Sequence, residues 1–405
     1  MKKLNIKMSR FFIKDVLKFK DQAKLREKII RSFPANDVSG DFYINRMASL
    51  MHPDFQKMVV TEIQNHPECN AKTFTLKKKD NSPCSVFRSG QYVTVNIKIG
   101  KNFVSRPYSI SSSPLKTKEG IIMLTIKGVP DGFVSKWILE NWKIGDDVLI
   151  SGPEGQFYYE PIRDNKTIIA VAGGSGITPF LSMAQAIKDG LEDFNLIILY
   201  GSRSVNSILL KSELDNICKD TQKVTVVHVL SEEKKDGYEY GFITAELIKK
   251  YAPKNSDFSI FICGPSALYR FAKMEIAKLN KPAREVRFEA QGLSKNPSEY
   301  EEYPKDARGK TFNVTIHIGS ETKTINASSS EPLLCSIEKS GLNPQNKCRS
   351  GSCSWCRSKL INGSVFIPEE NDGRRYEDKK CNYIHPCASY PLSDIEIECT
   401  EGINK

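Results

Sequence analysis

No run of eighteen apolar residues occurs anywhere in the 405-residue chain, which argues against a membrane-spanning helix. The basic N-terminus holds one short apolar piece, Phe11-Phe12-Ile13, broken at once by Lys14 and Asp15, so it does not read as a secretory leader. Histidine is scarce, and His52, His66, His228, His317 and His385 fall in no ligand or catalytic spacing. Internal repeats are absent. The net charge of +11 invites a nucleic-acid partner, but no basic patch interleaved with aromatics supports one. The charge is also uneven. Residues 1–60 carry thirteen Lys/Arg against six Asp/Glu, whereas residues 309–405 carry twelve of each. Eleven cysteines without an export signal point to a reducing compartment, where thiols serve metals and catalysis. The expected location is the cytoplasm.

What is present is organisation into several cores, as a chain of this length allows. Residues 1–54 read as a helical extension, with Phe12, Val16, Phe19, Leu25 and Ile29 at helix-like spacing between lysines and a break at Pro34-Ala-Asn-Asp37. It is expected either to pack on the body or to offer a basic surface helix to an acidic partner or an anionic membrane. Over 55–160 short alternating runs such as Tyr92-Val-Thr-Val-Asn-Ile97 and Ile121-Ile-Met-Leu-Thr-Ile126 predict an antiparallel β-barrel. Over 161–292 apolar strands such as Thr167-Ile-Ile-Ala-Val-Ala172 and Leu196-Ile-Ile-Leu-Tyr200 alternate with helical stretches, the pattern of a doubly wound parallel sheet. Residues 293–308 are polar and proline-containing, a linker. Residues 309–405 form the last domain.

That last domain carries Cys348-x4-Cys353-x2-Cys356, answered thirty residues later by Cys387. A short loop can wrap three thiolates round a flat diiron rhomb while a fourth arrives from a separate segment. Plant-type ferredoxins hold a [2Fe–2S] cluster at this spacing. Zinc sites favour two close pairs instead, which this arrangement does not match. Gly351 and the small Ser350, Ser352 and Ser354 suit the close approach of backbone N–H groups to sulfur. Trp355 is bulky for such a turn, as a shield, a docking surface or a packing contact. Lys347, Arg349, Arg357 and Lys359 gather by sequence round the ligands, either as solvated surface or as charge that raises a cluster potential and attracts an acidic partner.

Further motifs lie upstream in a telling order. Arg106-Pro107-Tyr108-Ser109 precedes Gly132-Phe-Val134-Ser135 and Gly152-Pro-Glu-Gly155. Gly173-Gly174-Ser-Gly176-Ile-Thr178-Pro179 follows a predicted strand and opens a helix, and it is not the G-x-G-x-x-G of the dinucleotide-binding dehydrogenases. Tyr200-Gly-Ser202-Arg203 and Cys263-Gly264-Pro265 close two later strands. Together these residues resemble the ferredoxin–NADP reductase superfamily, over about residues 55–292, with a plant-type ferredoxin fused behind. The resemblance implies a β-barrel flavin domain, an α/β nucleotide domain and an α+β β-grasp ferredoxin domain. It implies FAD, with FMN as the alternative. Tyr108 would cover the flavin, Ser109 would sit near N5, and Arg106, Gly132, Val134 and Ser135 would meet phosphates. Gly173, Gly174, Gly176, Thr178 and Pro179 would form the pyridine-nucleotide turn, Ser202 and Arg203 would touch the ribose, and Cys263, Gly264 and Pro265 would underlie the nicotinamide. Glu232 and Glu233 oppose a 2′-phosphate, favouring NADH over NADPH. Phe288 or Glu289 is expected either to cover the flavin or relay a proton, or to be merely structural.

The expected activity is thus an NAD(P)H:acceptor oxidoreductase passing electrons through flavin and a [2Fe–2S] cluster to a protein acceptor: an oxygenase, a hybrid-cluster protein or another redox protein. Two alternatives stay open, a subunit locked in a larger redox complex and a flavin/iron–sulfur redox sensor.

Overall fold

A computed structural model describes residues 12–32, 42–129, 132–289 and 297–402. The break at Pro34–Asp37, positions 290–292 at the end of the expected nucleotide domain and positions 293–296 of the expected linker lie outside the described residues. The chain divides at Ala48 into two units. In the first, α1 (Phe12–Ser32) bears Leu17, Phe19, Leu25 and Ile29 exposed along its length. Helix α2 (Tyr43–Met51) runs across the division. Among the described residues, no helix is long and apolar enough to cross a membrane.

The second unit holds three main sheets. The first comprises β1 (Phe55–His66), β2 (Ala71–Lys78), β3 (Tyr92–Ile99), β4 (Asn102–Ser109), β5 (Ile121–Lys127) and β6 (Asp147–Ser151), in the order β4-β3-β6-β1-β2-β5. Every pairing is antiparallel, and the bridge Ile110↔Leu124 brings the end of β4 to β5, so the sheet curls shut. Alternation makes the barrel, because Met58, Val60, Phe74, Leu76, Val93, Val95, Ile122, Leu124 and Ile126 all point inward and are buried. Helix α3 (Phe133–Asn141) follows β5, and Trp142 at its end meets Phe74 edge-on, ring centroids 5.0 Å apart.

The second sheet is wholly parallel. Its strands are β7 (Thr167–Gly173), β8 (Asn195–Ser202), β9 (Val224–Leu230), β10 (Glu239–Tyr240), β11 (Ser259–Cys263) and β12 (Val286–Phe288), in the order β10-β9-β8-β7-β11-β12. Helices α4 (Thr178–Lys188), α5 (Lys211–Asp220), α6 (Ala245–Tyr251) and α7 (Ser266–Ala277) connect them. Strand β7 is buried at all seven positions, as a central strand covered on both faces must be. The chain leaves β7 for β8 on one side and reaches β11 on the other, so the order reverses at β7. A crevice therefore opens beyond the carboxyl ends of β7 and β11, at Gly173 and Cys263. The barrel and the doubly wound sheet are the two folds expected from the strand spacing.

The third sheet has the order β14-β13-β19-β15-β17, from β13 (Thr311–Ile318), β14 (Glu321–Ser328), β15 (Ser358–Asn362), β17 (Tyr383–Ile384) and β19 (Ile395–Cys399). Between them, β16 (Val365–Phe366) pairs with β18 (Tyr390–Pro391). The hairpin β13–β14 is antiparallel while β13 and β19 run parallel. Helices α8 (Leu333–Lys339) and α9 (Tyr376–Lys380) complete this part. Val314, Ile316, Leu333, Ile337, Ile384, Ile395 and Ile397 form its core. Within the polar stretch before it, Tyr303 is 2% exposed, packed edge-on against Phe366 at 5.2 Å and donating its hydroxyl to the Ser329 carbonyl.

Candidate functional site

The crevice predicted by the reversal at β7 continues into a cleft of about 1420 Å³ that runs between all three sheets. That exceeds the roughly 300–1,000 Å³ of a single drug-sized site. The cleft brings together Arg106, Pro107, Tyr108 and Ser109 at the end of β4, Gly132, Val134 and Ser135 at the start of α3, and Gly173, Gly174, Gly176 and Thr178 after β7. Arg203, Cys263, Gly264 and Pro265 also line it. Pro179 is buried beneath the turn, and Ser202 lies outside the lining.

One polar contact in the cleft joins three strand ends. Ser109 Oγ donates to Glu289 Oε1 at 2.7 Å, and Cys263 Sγ donates to Glu289 Oε2 at 2.5 Å. Glu289 follows β12, and its own N–H donates to the Ile262 carbonyl at 3.0 Å, so the backbone fixes the carboxyl in place. Burial pushes the Glu289 carboxyl above its ordinary range, although both hydrogen bonds pull the other way. Burial and then the Glu289 charge push the Cys263 thiol up. A carboxyl raised in this way holds its proton to a higher pH than an exposed one does.

Several sequence expectations acquire different reasons here. A Cβ on Gly176 would lie 2.1 Å from the Cys263 carbonyl oxygen, so this glycine lets the turn after β7 pack against the end of β11. Gly174, with φ +54, is the open one, with only Lys127 Nζ near its Cβ position, at 3.8 Å. The Thr178 hydroxyl donates to the Ser175 carbonyl at 3.0 Å and is used within the turn. Ser135 Oγ accepts from Val129 N–H at 3.3 Å, tying the start of α3 to the loop after β5. Arg203 lies 3.7 Å from Glu232, and Glu233 accepts the Val205 N–H at 2.9 Å.

The cysteine loop sits beside the same cleft. Its backbone takes the left-handed conformation at Arg349 (φ +56), Gly351 (φ +83) and Ser354 (φ +59), which turns successive N–H groups inward as a nest. Ser350 N and Cys353 N each lie 3.4 Å from Cys348 Sγ, Gly351 N lies 3.3 Å from Cys387 Sγ, and Trp355 N lies 3.5 Å from Cys353 Sγ. Cys356 and Cys387 have their sulfurs 3.3 Å apart, and Cys348 reaches Cys353 and Cys387. Cys399 is buried in the core of the third sheet and Cys381 is exposed. Among the described residues, no three His, Cys, Asp or Glu side chains converge as the ligands of one metal ion.

Charges round this loop are not free surface. Lys347 pairs with Glu154 at 2.5 Å and lies 3.7 Å over the Trp355 ring, and Arg357 pairs with Asp378 at 2.5 Å. Arg349 donates to Glu338 at 2.6 Å, and Arg106 reaches the same carboxylate at 3.4 Å. Burial is the largest single influence on Arg349 and lowers it, but the Glu338 charge, Cys335 and the hydrogen bond to Glu338 together outweigh it and leave the group raised. Arg106 is lowered, by burial first and by Arg349 second. The solvated-surface view of this basic run is thereby corrected for Lys347 and Arg349, whose partners come from elsewhere in the fold. Trp355 is 41% exposed and lines a cavity of about 150 Å³ with Asn96, Lys98 and Phe103 of the barrel. Glu338 went unnoticed in the sequence because it belongs to no motif. Its signal is an acid one helical turn from Leu334 on the buried face of a short helix.

Two family models match the chain, an oxidoreductase FAD-binding domain over residues 60–159 and an oxidoreductase NAD-binding domain over residues 170–274. The glycine betaine monooxygenase reductase subunit of Chromohalobacter salexigens is 28% identical over 331 residues, 77% of this chain and 87% of the relative. NADH-cytochrome b5 reductase 1 of Candida glabrata is 31% identical over 239 residues, 58% of this chain and 82% of the relative. Among solved structures, phthalate dioxygenase reductase, described as modular for electron transfer from pyridine nucleotides to [2Fe–2S], superposes with a TM-score of 0.60 at 22% identity, over 85% of this chain and 98% of that one.

Proposed function

The chain belongs to the ferredoxin reductase family of FAD- and NAD-binding oxidoreductases and is an electron-transfer reductase, and from that premise we propose that it takes electrons from NADH through FAD and a [2Fe–2S] cluster to a protein acceptor. The observation that carries this reading is the single cleft in which the Arg106–Ser109 strand end, the Gly132–Ser135 helix start, the Gly173–Thr178 turn and Cys263 meet. The cysteine loop borders that cleft through Arg349 and Glu338.

When bound, a flavin would accept two electrons at once as one hydride and release them singly, and a cluster would carry them one at a time. Everything else is the work of the chain. The half-buried Tyr108 covers one side of the cleft and excludes water. The first N–H groups of α3 and the open turn at Gly174 receive phosphate charge. Cys263 and Ser109 hold the Glu289 carboxyl between them, where it keeps or yields a proton at Oε1 or Oε2 as charge changes in the cleft. NADH is favoured because Glu232 already faces Arg203, the cation that would otherwise take a 2′-phosphate. The sulfur-directed N–H groups of residues 350–355 suit a cluster that accumulates negative charge, and four thiols from two segments suit two irons better than one zinc ion. The acceptor is an oxygenase component or a comparable redox protein, as the names of the relatives suggest, reaching the cluster where Cys353 is exposed. The cytoplasm is its place.

The test is a visible spectrum of the anaerobically purified protein before and after one equivalent of NADH, and again with NADPH. Flavin and cluster bands that bleach in turn with NADH are expected. Flavin bands without cluster bands, unchanged by iron and sulfide reconstitution, would leave a plain flavin reductase.

A further inference from the structure

Three charged side chains meet where the cleft borders the cysteine loop, and their charges do not cancel. Glu338, on α8, is 3% exposed; its Oε1 accepts from Arg349 Nη1 at 2.6 Å and its Oε2 from Arg106 Nη1 at 3.4 Å. The side chains of Arg349 and Arg106 are only 10% and 26% exposed. One carboxylate facing two guanidiniums leaves one positive charge over in a poorly hydrated place, which is costly unless an anion completes the set. Anions belong on both sides in the reading above. Arg349 follows the cluster ligand Cys348 directly, and Arg106 opens onto the cleft proposed for the flavin.

The two arms differ. Arg106 Nη1 also donates to the Ser105 carbonyl at 2.7 Å, so its own backbone orients it and Glu338 acts on it chiefly through charge. The Arg349 arm is short, and its other nitrogen reaches Cys335 Sγ at 3.5 Å, so Glu338 both orients and neutralises that cation.

We propose that Glu338 is a positioning residue that sets the potential of the cluster relative to the flavin and couples the two, by offsetting Arg349 beside the thiolates and competing for Arg106 with flavin phosphate. The proposal rests on the FAD and [2Fe–2S] reading. Because each electron adds negative charge to the cluster, a carboxylate near it favours the oxidised form, and its removal favours the reduced one. The same removal frees Arg106 for phosphate. One substitution therefore moves two separate quantities in directions fixed by sign alone.

The variant Glu338→Gln keeps the shape and removes the charge. It should raise the cluster midpoint potential and tighten FAD binding by about fivefold, the scale of a partly screened ion pair. Arg349→Gln removes a cation instead and should do the reverse, lowering the potential and loosening FAD, while Glu338→Asp should stay near wild type. The measurements are anaerobic redox titrations of the holoprotein followed by EPR, and FAD release followed by fluorescence. A purely structural Glu338 would loosen FAD in both charge variants, and same-sign shifts or an unmoved potential would overturn the proposal. If Glu338→Gln does not fold, the sign of the Arg349→Gln shift decides. Wild-type protein lacking flavin or cluster bands would overturn the underlying reading as well, and this shows before any variant is made.

Discussion

Replacing Gly351 with alanine should keep the cysteine loop from holding the proposed cluster while leaving NADH-driven flavin chemistry in place. The residue has φ +83, and a Cβ there would fall 2.0 Å from the Asn371 carbonyl oxygen and 2.9 Å from the Ala388 Cβ. Ordinary contacts lie at about 3.5 Å, so one backbone must retreat by more than about 1 Å. Neither can do so cheaply. The Gly351 N–H is aimed at Cys387 Sγ at 3.3 Å, and its carbonyl accepts from His385 Nδ1 at 2.7 Å. The left-handed backbone costs an L-residue about 1–2 kcal/mol, and losing the two polar contacts adds about 1 kcal/mol each. A total of about 3–4 kcal/mol places this among the severe substitutions. The assay is iron and sulfide content with the EPR signal of the reduced protein, set against NADH-dependent dye reduction. Gly100→Ala is the control, since Gly100 has φ +60 and nothing within 4 Å of its Cβ position; it should cost only the backbone term of about 1–2 kcal/mol. A Gly351→Ala protein with full cluster content would refute the argument that this loop is shaped round a cluster.

Other substitutions separate the remaining parts. Cys353→Ser should abolish cluster absorbance and leave NADH:dye activity largely intact; loss of both would contradict the modular reading. Glu289→Gln should slow flavin reduction and also change the pH dependence of stability. Burial raises this carboxyl above its unfolded value of about 4.3, so its contribution is complete below that value and is lost as pH rises through the folded one. The wild-type melting temperature should therefore fall relative to the glutamine variant as pH rises above about 4.3, and parallel profiles would count against a strained Glu289. Glu232→Lys removes the carboxylate facing Arg203 and should improve kcat/KM for NADPH by about tenfold. An unchanged NADPH/NADH ratio would mean that this side of the cleft does not meet the ribose. Glu233 is the poorer target because it holds the Val205 N–H.

The motifs legible in the chain are those whose chemistry works over a few residues. Alternation gives the barrel strands, continuous apolar runs give buried parallel strands, and glycines beside a strand end give a turn into a helix. The cysteine spacing belongs with these, because Cys348, Cys353 and Cys356 share one short loop. In each case neighbouring residues share one local geometry, so the pattern survives in one dimension. The reasons behind individual residues were less visible. Gly176 is small because Cys263, far along the chain, lies against it, and Thr178 spends its hydroxyl inside its own turn.

Charge partnerships depended on the fold alone. Lys347 and Arg349 look like loose surface charge until Glu154 and Glu338 are brought to them, and the candidate Glu289 gains a partner only when Ser109 arrives from 180 residues away. The amino-acid sequence by itself determined the kinds of strand, the turns, and the cysteine loop, because these follow from local periodicity and backbone freedom. Which carboxylate faces which cation, and how the cysteine loop borders the cleft, was decided only in three dimensions. Electrostatic interaction depends on distance and burial, and neither is written in residue order.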